Sequence, residues 1–296
     1  MCGHELNKNK PPTFAMSAFF QKQADKLLNK VQNHQQQPPS TPTPSPPRSK
    51  RGICWPVENQ DPVHIFTKPG SKISWIYNWS PNATPNSTSL EFVPMQWNHI
   101  NIDELAQKLA TCSTSSSPSL LLAFNEPELS SQANMSAALA AEEWMRVIEP
   151  LRKSGKVRAG SPGISSAPDG VRWMQEFWKG IREMGGDVDF WCLHWYGEGL
   201  GGFYDYIWST HHQLDPSKPV WITEFAPTNW NESNPLPKEH VEAFVREAVK
   251  YLDSLDWVER YAFFGAMRNT GSVGQHARFL DDAGKLTDLG KFYRDS

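Results

Sequence analysis

From residue 51 to the C-terminus the chain alternates short apolar runs with longer stretches of helical periodicity. Eight runs, at 52–55, 74–79, 91–95, 119–124, 157–161, 188–195, 220–225 and 261–265, are mostly rich in Ile, Val, Leu and aromatic residues, and Pro, Gly, Asn or Ser bounds them. Near-continuous apolar runs of this kind predict strands buried on both faces, as in a parallel sheet. Helices are predicted between them, over 102–111, 137–152, 170–184, 203–211, 239–253 and 286–293. In 170–184, Val171, Met174, Phe177, Trp178 and Ile181 recur at helical spacing, and Gly185-Gly186 ends the pattern with a C-cap signature. Repeated alternation of strand and helix predicts a (β/α)8 barrel. An open doubly wound sheet is the alternative, but the chain has neither a G-x-G-x-x-G nor a G-x-x-x-x-G-K-[ST] phosphate loop.

The pattern changes before residue 51. Met16, Phe20, Ala24, Leu27, Leu28 and Val31 mark an amphipathic helix over 14–31, too short to be stable by itself. Residues 35–50 are a Gln-, Pro-, Ser- and Thr-rich linker that cannot pack a core. Residues 1–50 are therefore expected to form a largely disordered tail, and 51–296 the folded domain. Lys50-Arg51 at the junction reads as a pair of solvated charges rather than a processing site. No signal peptide is visible, and no run of about 18 apolar residues predicts a membrane span. Five N-x-S/T sequons, at Asn78, Asn82, Asn86, Asn134 and Asn231, matter only on a secretory route, so the compartment stays open.

Charge narrows the function. With 29 Lys+Arg against 32 Asp+Glu, the chain is not the basic protein that nucleic-acid binding favours. Cys2, Cys54, Cys112 and Cys192 form no C-x-x-C pair and no metal-ligand spacing. Neither a metal nor a cofactor is expected, and Cys192 reads as a buried thiol. A monomer is expected. The 13 Trp serve cores, but indole faces also stack on sugar rings.

A barrel of this kind builds its active site at the C-terminal ends of its strands. The fourth predicted strand ends in Asn125-Glu126-Pro127, the sixth in His194-Trp195-Tyr196, and the seventh in Glu224-Phe225-Ala226-Pro227. A Glu directly after several apolar residues is costly to bury without a partner. One such Glu is readily explained by exposure or an Arg partner. Two of them, three strands apart, point to a pair facing each other across the ring. Glycoside hydrolysis needs such a pair: one protonated carboxyl for the leaving oxygen, and one carboxylate to attack or to activate water. Burial and mutual repulsion raise the pKa of one of them.

These motifs resemble glycoside hydrolase family 128, the alkali-sensitive-linkage type of catalytic domain within clan A. Arg51-Gly52-Ile53-Cys54-Trp55, Trp75-Ile76-Tyr77-Asn78-Trp79, Leu193-His194-Trp195-Tyr196 and the stretch 280–290 carry the resemblance together with the two Glu motifs. It covers residues 51–296. It implies a retaining, endo-acting β-1,3-glucanase of fungal cell-wall metabolism that needs no cofactor. Glu126 would be the acid/base and Glu224 the nucleophile. Asn125 would donate a hydrogen bond to the sugar hydroxyl beside the nucleophile. Either Tyr196 or His194 could hydrogen-bond Glu224 and hold it ionised. The family also suggests a cell-wall or secreted setting.

Asn78, Trp79, Asn125, His194, Trp195 and Tyr196 are the expected substrate-binding residues. Trp97 and Trp230 are weaker sugar-stacking candidates at strand ends, whereas Trp144, Trp173, Trp178, Trp191 and Trp257 belong to the packing. Glu128, on the Glu126 loop, reads as an exposed acid. Two other functions fit the same residues: hydrolysis of another β-glycan, such as a β-1,4-glucan or mannan, and β-glucan binding with weak catalysis. A pure binder has no need of two facing carboxylates, which favours the enzyme.

Overall fold

In a computed structural model, residues 49–83, 90–111 and 119–296 are described. Residues 1–48 of the predicted tail, its amphipathic helix included, lie outside them, as do Asn86 and Cys112. Eight parallel strands follow one another: β1 (Arg51–Cys54), β2 (Ile73–Tyr77), β3 (Glu91–Phe92), β4 (Ser119–Leu121), β5 (Val157–Ile164), β6 (Phe190–Gly197), β7 (Val220–Pro227) and β8 (Val258–Phe263). Their order is β3-β2-β1-β8-β7-β6-β5-β4. A parallel bridge between Met95 and Leu122, beyond the ends of β3 and β4, joins the two edges and curls the sheet into a barrel. Helices α1 (Leu105–Thr111), α2 (Ala137–Glu143), α3 (Glu149–Lys153), α4 (Gly170–Glu183), α5 (Leu200–Gln213), α6 (Lys238–Ser254) and α7 (Asp288–Asp295) accompany β3 to β8. Among the described residues, β1 is followed only by one short 3-10 turn, Val63–Phe66. None of the described helices is long and apolar enough to cross a membrane.

The apolar residues divide by strand alternation. Trp75, Tyr77, Phe190, Cys192 and Trp221 fill the barrel, whereas Ile76, Trp191, Leu193 and Ile222 pack outward under the helices. Phe190 stacks on Trp221 at 4.2 Å, and Trp75 leans on the same indole at 5.3 Å. Glycine makes room for these rings. A Cβ on Gly52 would lie 2.1 Å from the Trp75 indole, and one on Gly160 would lie 2.3 Å from Phe190. Arg260 lies over Trp221 and pairs with Glu91 at 2.6 Å, and Arg158 lies over Phe190 and pairs with Glu259.

The predicted helix over 137–152 is interrupted. Trp144–Ile148 winds as a π-helix between α2 and α3. Pro150 sits in the first turn of α3. Its missing N–H, and the clash of its ring with the carbonyl four residues back, explain the wider turn. The junction residues correct the sequence reading. Lys50 Nζ donates to the carbonyls of Leu252, Asp253 and Leu255 at the end of α6, and buried Arg51 pairs with Asp253 at 2.8 Å. Neither is merely solvated, because helix-end carbonyls attract cations.

Candidate active site

Two irregularities bring the carboxylates together. Strict alternation would turn Glu224, three residues beyond inward-facing Trp221, toward the helices. The register of β7 slips against β6 at Leu193/His194 and against β8 between Ile222 and Phe225. Bulges of this kind re-aim side chains beside active sites, and Glu224 points into the barrel. Glu126 follows β4, where its amide donates to the Gly163 carbonyl at 2.7 Å. Its φ is 41°, in the left-handed region that a residue with a Cβ enters at a cost. β6 is regular, so His194 and Tyr196 face inward and Trp195 faces outward.

The result is a buried polar cluster. One oxygen of Glu126, one of Glu224 and a ring nitrogen of His194 all lie within 4.8 Å of one another. Glu224 accepts hydrogen bonds from the Tyr196 hydroxyl at 2.6 Å and the Trp79 indole N–H at 2.8 Å, while the Tyr77 hydroxyl, which donates to the Thr223 carbonyl at 3.0 Å, lies 3.4 Å from it. His194 Nδ1 is 3.0 Å from Glu126 Oε1 and 3.7 Å from Glu224 Oε1. Burial raises the Glu224 pKa and outweighs the opposing pull of His194, while repulsion from Glu126 adds to the rise. The hydrogen bonds from Tyr196 and Trp79 draw it back, leaving it above the ordinary carboxylate value. Burial alone would push the His194 imidazole down, but the Glu224 and Glu126 carboxylates prevail and hold it up at about 9. These three side chains are close enough to hold a metal ion. His194 already directs Nδ1 at both carboxylates, and its Nε2 is buried with no hydrogen-bond partner among the described residues.

Two cavities, of about 520 and 610 Å3, meet at this cluster. The first is lined by Asn78, Trp79, Trp97 and Asn125 among others, the second by Tyr196, Trp230 and the Ser165–Ala167 segment. An aromatic strip crosses from one to the other. Trp79 meets Phe264 at 6.0 Å, Phe264 meets Tyr196 at 5.8 Å, and Tyr196 meets Trp230 at 5.3 Å. Trp230 is 56% exposed and shares with Trp79 the positive φ of Glu126.

The expected site residues separate into two groups. Glu126, Glu224, Asn125, Asn78, Trp79 and Tyr196 converge on the cavities, as do Trp97 and Trp230. Trp195 does not: it is buried under the helices, stacked on Phe244 at 5.4 Å and against Phe203 at 5.1 Å. Alternation between inward His194 and inward Tyr196 puts it there. His194 is fully buried and lines neither cavity, so it serves the carboxylates rather than substrate. Both candidates for holding Glu224 approach it: Tyr196 by a direct hydrogen bond, His194 by charge. Glu128 is not an exposed acid. Its Oε1 accepts from the Ser165 amide at 2.6 Å, its Oε2 is buried, and burial raises its pKa. Gln132 and Phe264 line both cavities and were missed by sequence reasoning. Phe264 lies in the predicted eighth strand run, so a search for aromatics at strand ends would have found it. Nothing in the sequence marks Gln132.

The model of one family, described as the glycosyl hydrolase catalytic core, matches residues 52–293. The chain is 32% identical over 247 residues to alkali-sensitive linkage protein 1 of Schizosaccharomyces pombe. That match spans 82% of this chain but only 44% of the relative, so the chain covers less than half of that protein's length. A solved GH128 subgroup VI exo-β-1,3-glucanase from Aureobasidium namibiae is 26% identical, with a TM-score of 0.73 over 85% of this chain and 98% of the other. A GH128 subgroup IV endo-β-1,3-glucanase from Lentinula edodes is 25% identical, with a TM-score of 0.71 over 83% and 99%.

Proposed function

The chain belongs to the glycosyl hydrolase catalytic core family, with a catalytic domain of the GH128 type, and we propose that it hydrolyses β-1,3-glucan internally with retention of configuration. The observation that carries the reading is the pair Glu126–Glu224, whose nearest oxygens are within 4.8 Å at the meeting point of two cavities. Retaining enzymes hold their carboxyls about 5–5.5 Å apart, whereas inverting ones leave about 6.5–9.5 Å for a water. The short separation favours a direct attack. Space on both sides of the pair favours cleavage within a chain. The β-1,3 linkage is taken from the similar solved enzymes.

In the first step Glu224 attacks the anomeric carbon as Glu126 protonates the glycosidic oxygen. The bond from that carbon to the leaving sugar breaks, and a glycosyl ester forms on Glu224. In the second step Glu126, now a carboxylate, takes a proton from a water that attacks the same carbon and frees Glu224. His194 gives this sequence a charge balance. Its imidazolium offsets Glu224 before the first step and Glu126 after it, so the buried trio stays neutral as the negative charge changes side. Tyr196 and Trp79 hold the attacking oxygens against the burial that disfavours their charge.

The test is incubation with linear β-1,3-glucan. The reading expects new reducing ends, oligosaccharides of mixed length early in the reaction, and the β-anomer as the first product seen by NMR. Release of glucose alone would replace internal cleavage with terminal cleavage. The α-anomer first would sink retention. Binding without release would leave a glucan receptor.

A further inference from the structure

We propose that Gln132 is a substrate-binding residue that contacts the sugars on both sides of the scissile bond. The inference rests on the hydrolase reading above and deepens it. Four residues line both cavities: Glu126, Gln132, Glu224 and Phe264. Two are the carboxyls and one is an aromatic ring. Gln132 is the neutral hydrogen-bonding group of the set, placed where the two sugars flanking the cut must meet.

Its position follows from the loop that carries Glu126. The Leu129 amide donates to the Glu126 carbonyl at 3.0 Å, the Gln132 amide to the Leu129 carbonyl at 3.0 Å, and the Ala133 amide to the Asn125 carbonyl at 3.1 Å. The chain thus turns back and lays Gln132 beside Asn125 and Glu126. Gln132 Oε1 accepts from Asn125 Nδ2 at 3.2 Å. That contact fixes the rotation of the Gln132 amide and leaves its Nε2, with two N–H donors, without a partner among the described residues. Asn125 Oδ1, beside it, is buried and unpartnered. A buried acceptor left unmade costs free energy that a sugar hydroxyl would recover. The Asn125–Gln132 pair therefore presents an acceptor and donors, all uncharged, to a neutral polyhydroxylated chain. Asn125 lines the first cavity only, whereas Gln132 borders both.

The test compares two substrates. Wild type, Gln132→Ala and Gln132→Glu are assayed on a β-1,3-linked glucose pentamer and on a nitrophenyl β-1,3-linked glucose dimer. In the second, the nitrophenol leaving group places no sugar beyond the carboxylates. Thermal melts establish that the variants are folded. Gln132→Ala is expected to lower kcat/KM on the pentamer by roughly 10- to 100-fold, and on the aryl substrate several-fold less. Gln132→Glu keeps an acceptor for Asn125 but loses the donors, and is expected to follow Gln132→Ala on the pentamer. Equal losses on the two substrates, or a fully active Gln132→Glu, would overturn the proposal and reduce Gln132 to a support for Asn125. If the wild type does not turn over the aryl substrate, binding of the pentamer and of the glucose dimer to Glu224→Gln, with and without Gln132→Ala, decides in the same way. A wild type inert toward every β-1,3-linked substrate would instead overturn the hydrolase reading itself.

Discussion

The two halves of the barrel are built differently. β5, β6 and β7 have eight residues each and β8 has six; α4, α5 and α6, which follow the first three of these strands, run for 14, 14 and 17 residues. β1 to β4 have four, five, two and three residues, and the ring closes beyond β3 through one bridge. The half with the long strands carries Glu224, His194 and Tyr196. The half with the short strands carries Glu126 and Trp79, both with left-handed backbones. The division suits the proposed chemistry. An attacking oxygen must be held in line with the bond it breaks, and small misplacements are expensive. A proton donor works through a hydrogen bond that tolerates more variation.

The strongest test of this division is Glu224→Gln, which is expected to lower activity by on the order of 10^4- to 10^6-fold. The same change should raise the melting temperature at neutral pH. Glu224 has a folded pKa above its unfolded value, so its ionisation loses stability as pH rises through the folded pKa, and a neutral amide avoids that loss. A variant that melted lower would show that the carboxylate is a net support of the fold.

Glu126→Gln should cost less, on the order of 10^2- to 10^4-fold, and less again with a nitrophenol leaving group that needs no proton. An equal loss with both leaving groups would remove the acid role. Tyr196→Phe deletes the shortest donor to Glu224 and should lower kcat/KM by roughly 10- to 100-fold. It should also move the acid limb of the pH–rate profile upward, because that hydrogen bond lowers the Glu224 pKa. An unmoved limb would assign the limb to another group.

Deprotonation of His194 is expected to lower activity as pH passes about 9. Its pKa is raised on folding from 6.5, so the stability it contributes is complete below that value and is lost as pH rises through about 9. Melting temperatures measured across this window check the sign. The smallest effect concerns the halves themselves. Amides paired between β2 and β3 should exchange with solvent at least about tenfold faster than those between β6 and β7. Uniform protection would erase the contrast.

Apolar runs made the eight strands legible, and strand-end position exposed both carboxylates, because burial of a Glu is costly enough to leave a visible mark. Strand alternation was equally legible. Had it been applied to 194–196, Trp195 would have been turned outward. Bulges were not legible. The same alternation applied from Trp221 would have turned Glu224 away from the site, and it was the pairing of two strand-end Glu residues, not periodicity, that pointed it inward. The short first half was also hidden, because its loops carry no helical period to read. Gln132 depends on a loop returning beside its own start, which no local pattern records.

The backbone of Glu126 bears on descent as well as on catalysis. A side chain held at a φ of 41° costs the scaffold about 1–3 kcal/mol that a glycine would not. Selection for turnover must oppose that cost continually. In a lineage released from this requirement, position 126 should be among the first to drift, and toward Gly or Asn, which tolerate the turn. Such a lineage would gain a firmer barrel from the same change that ended its chemistry.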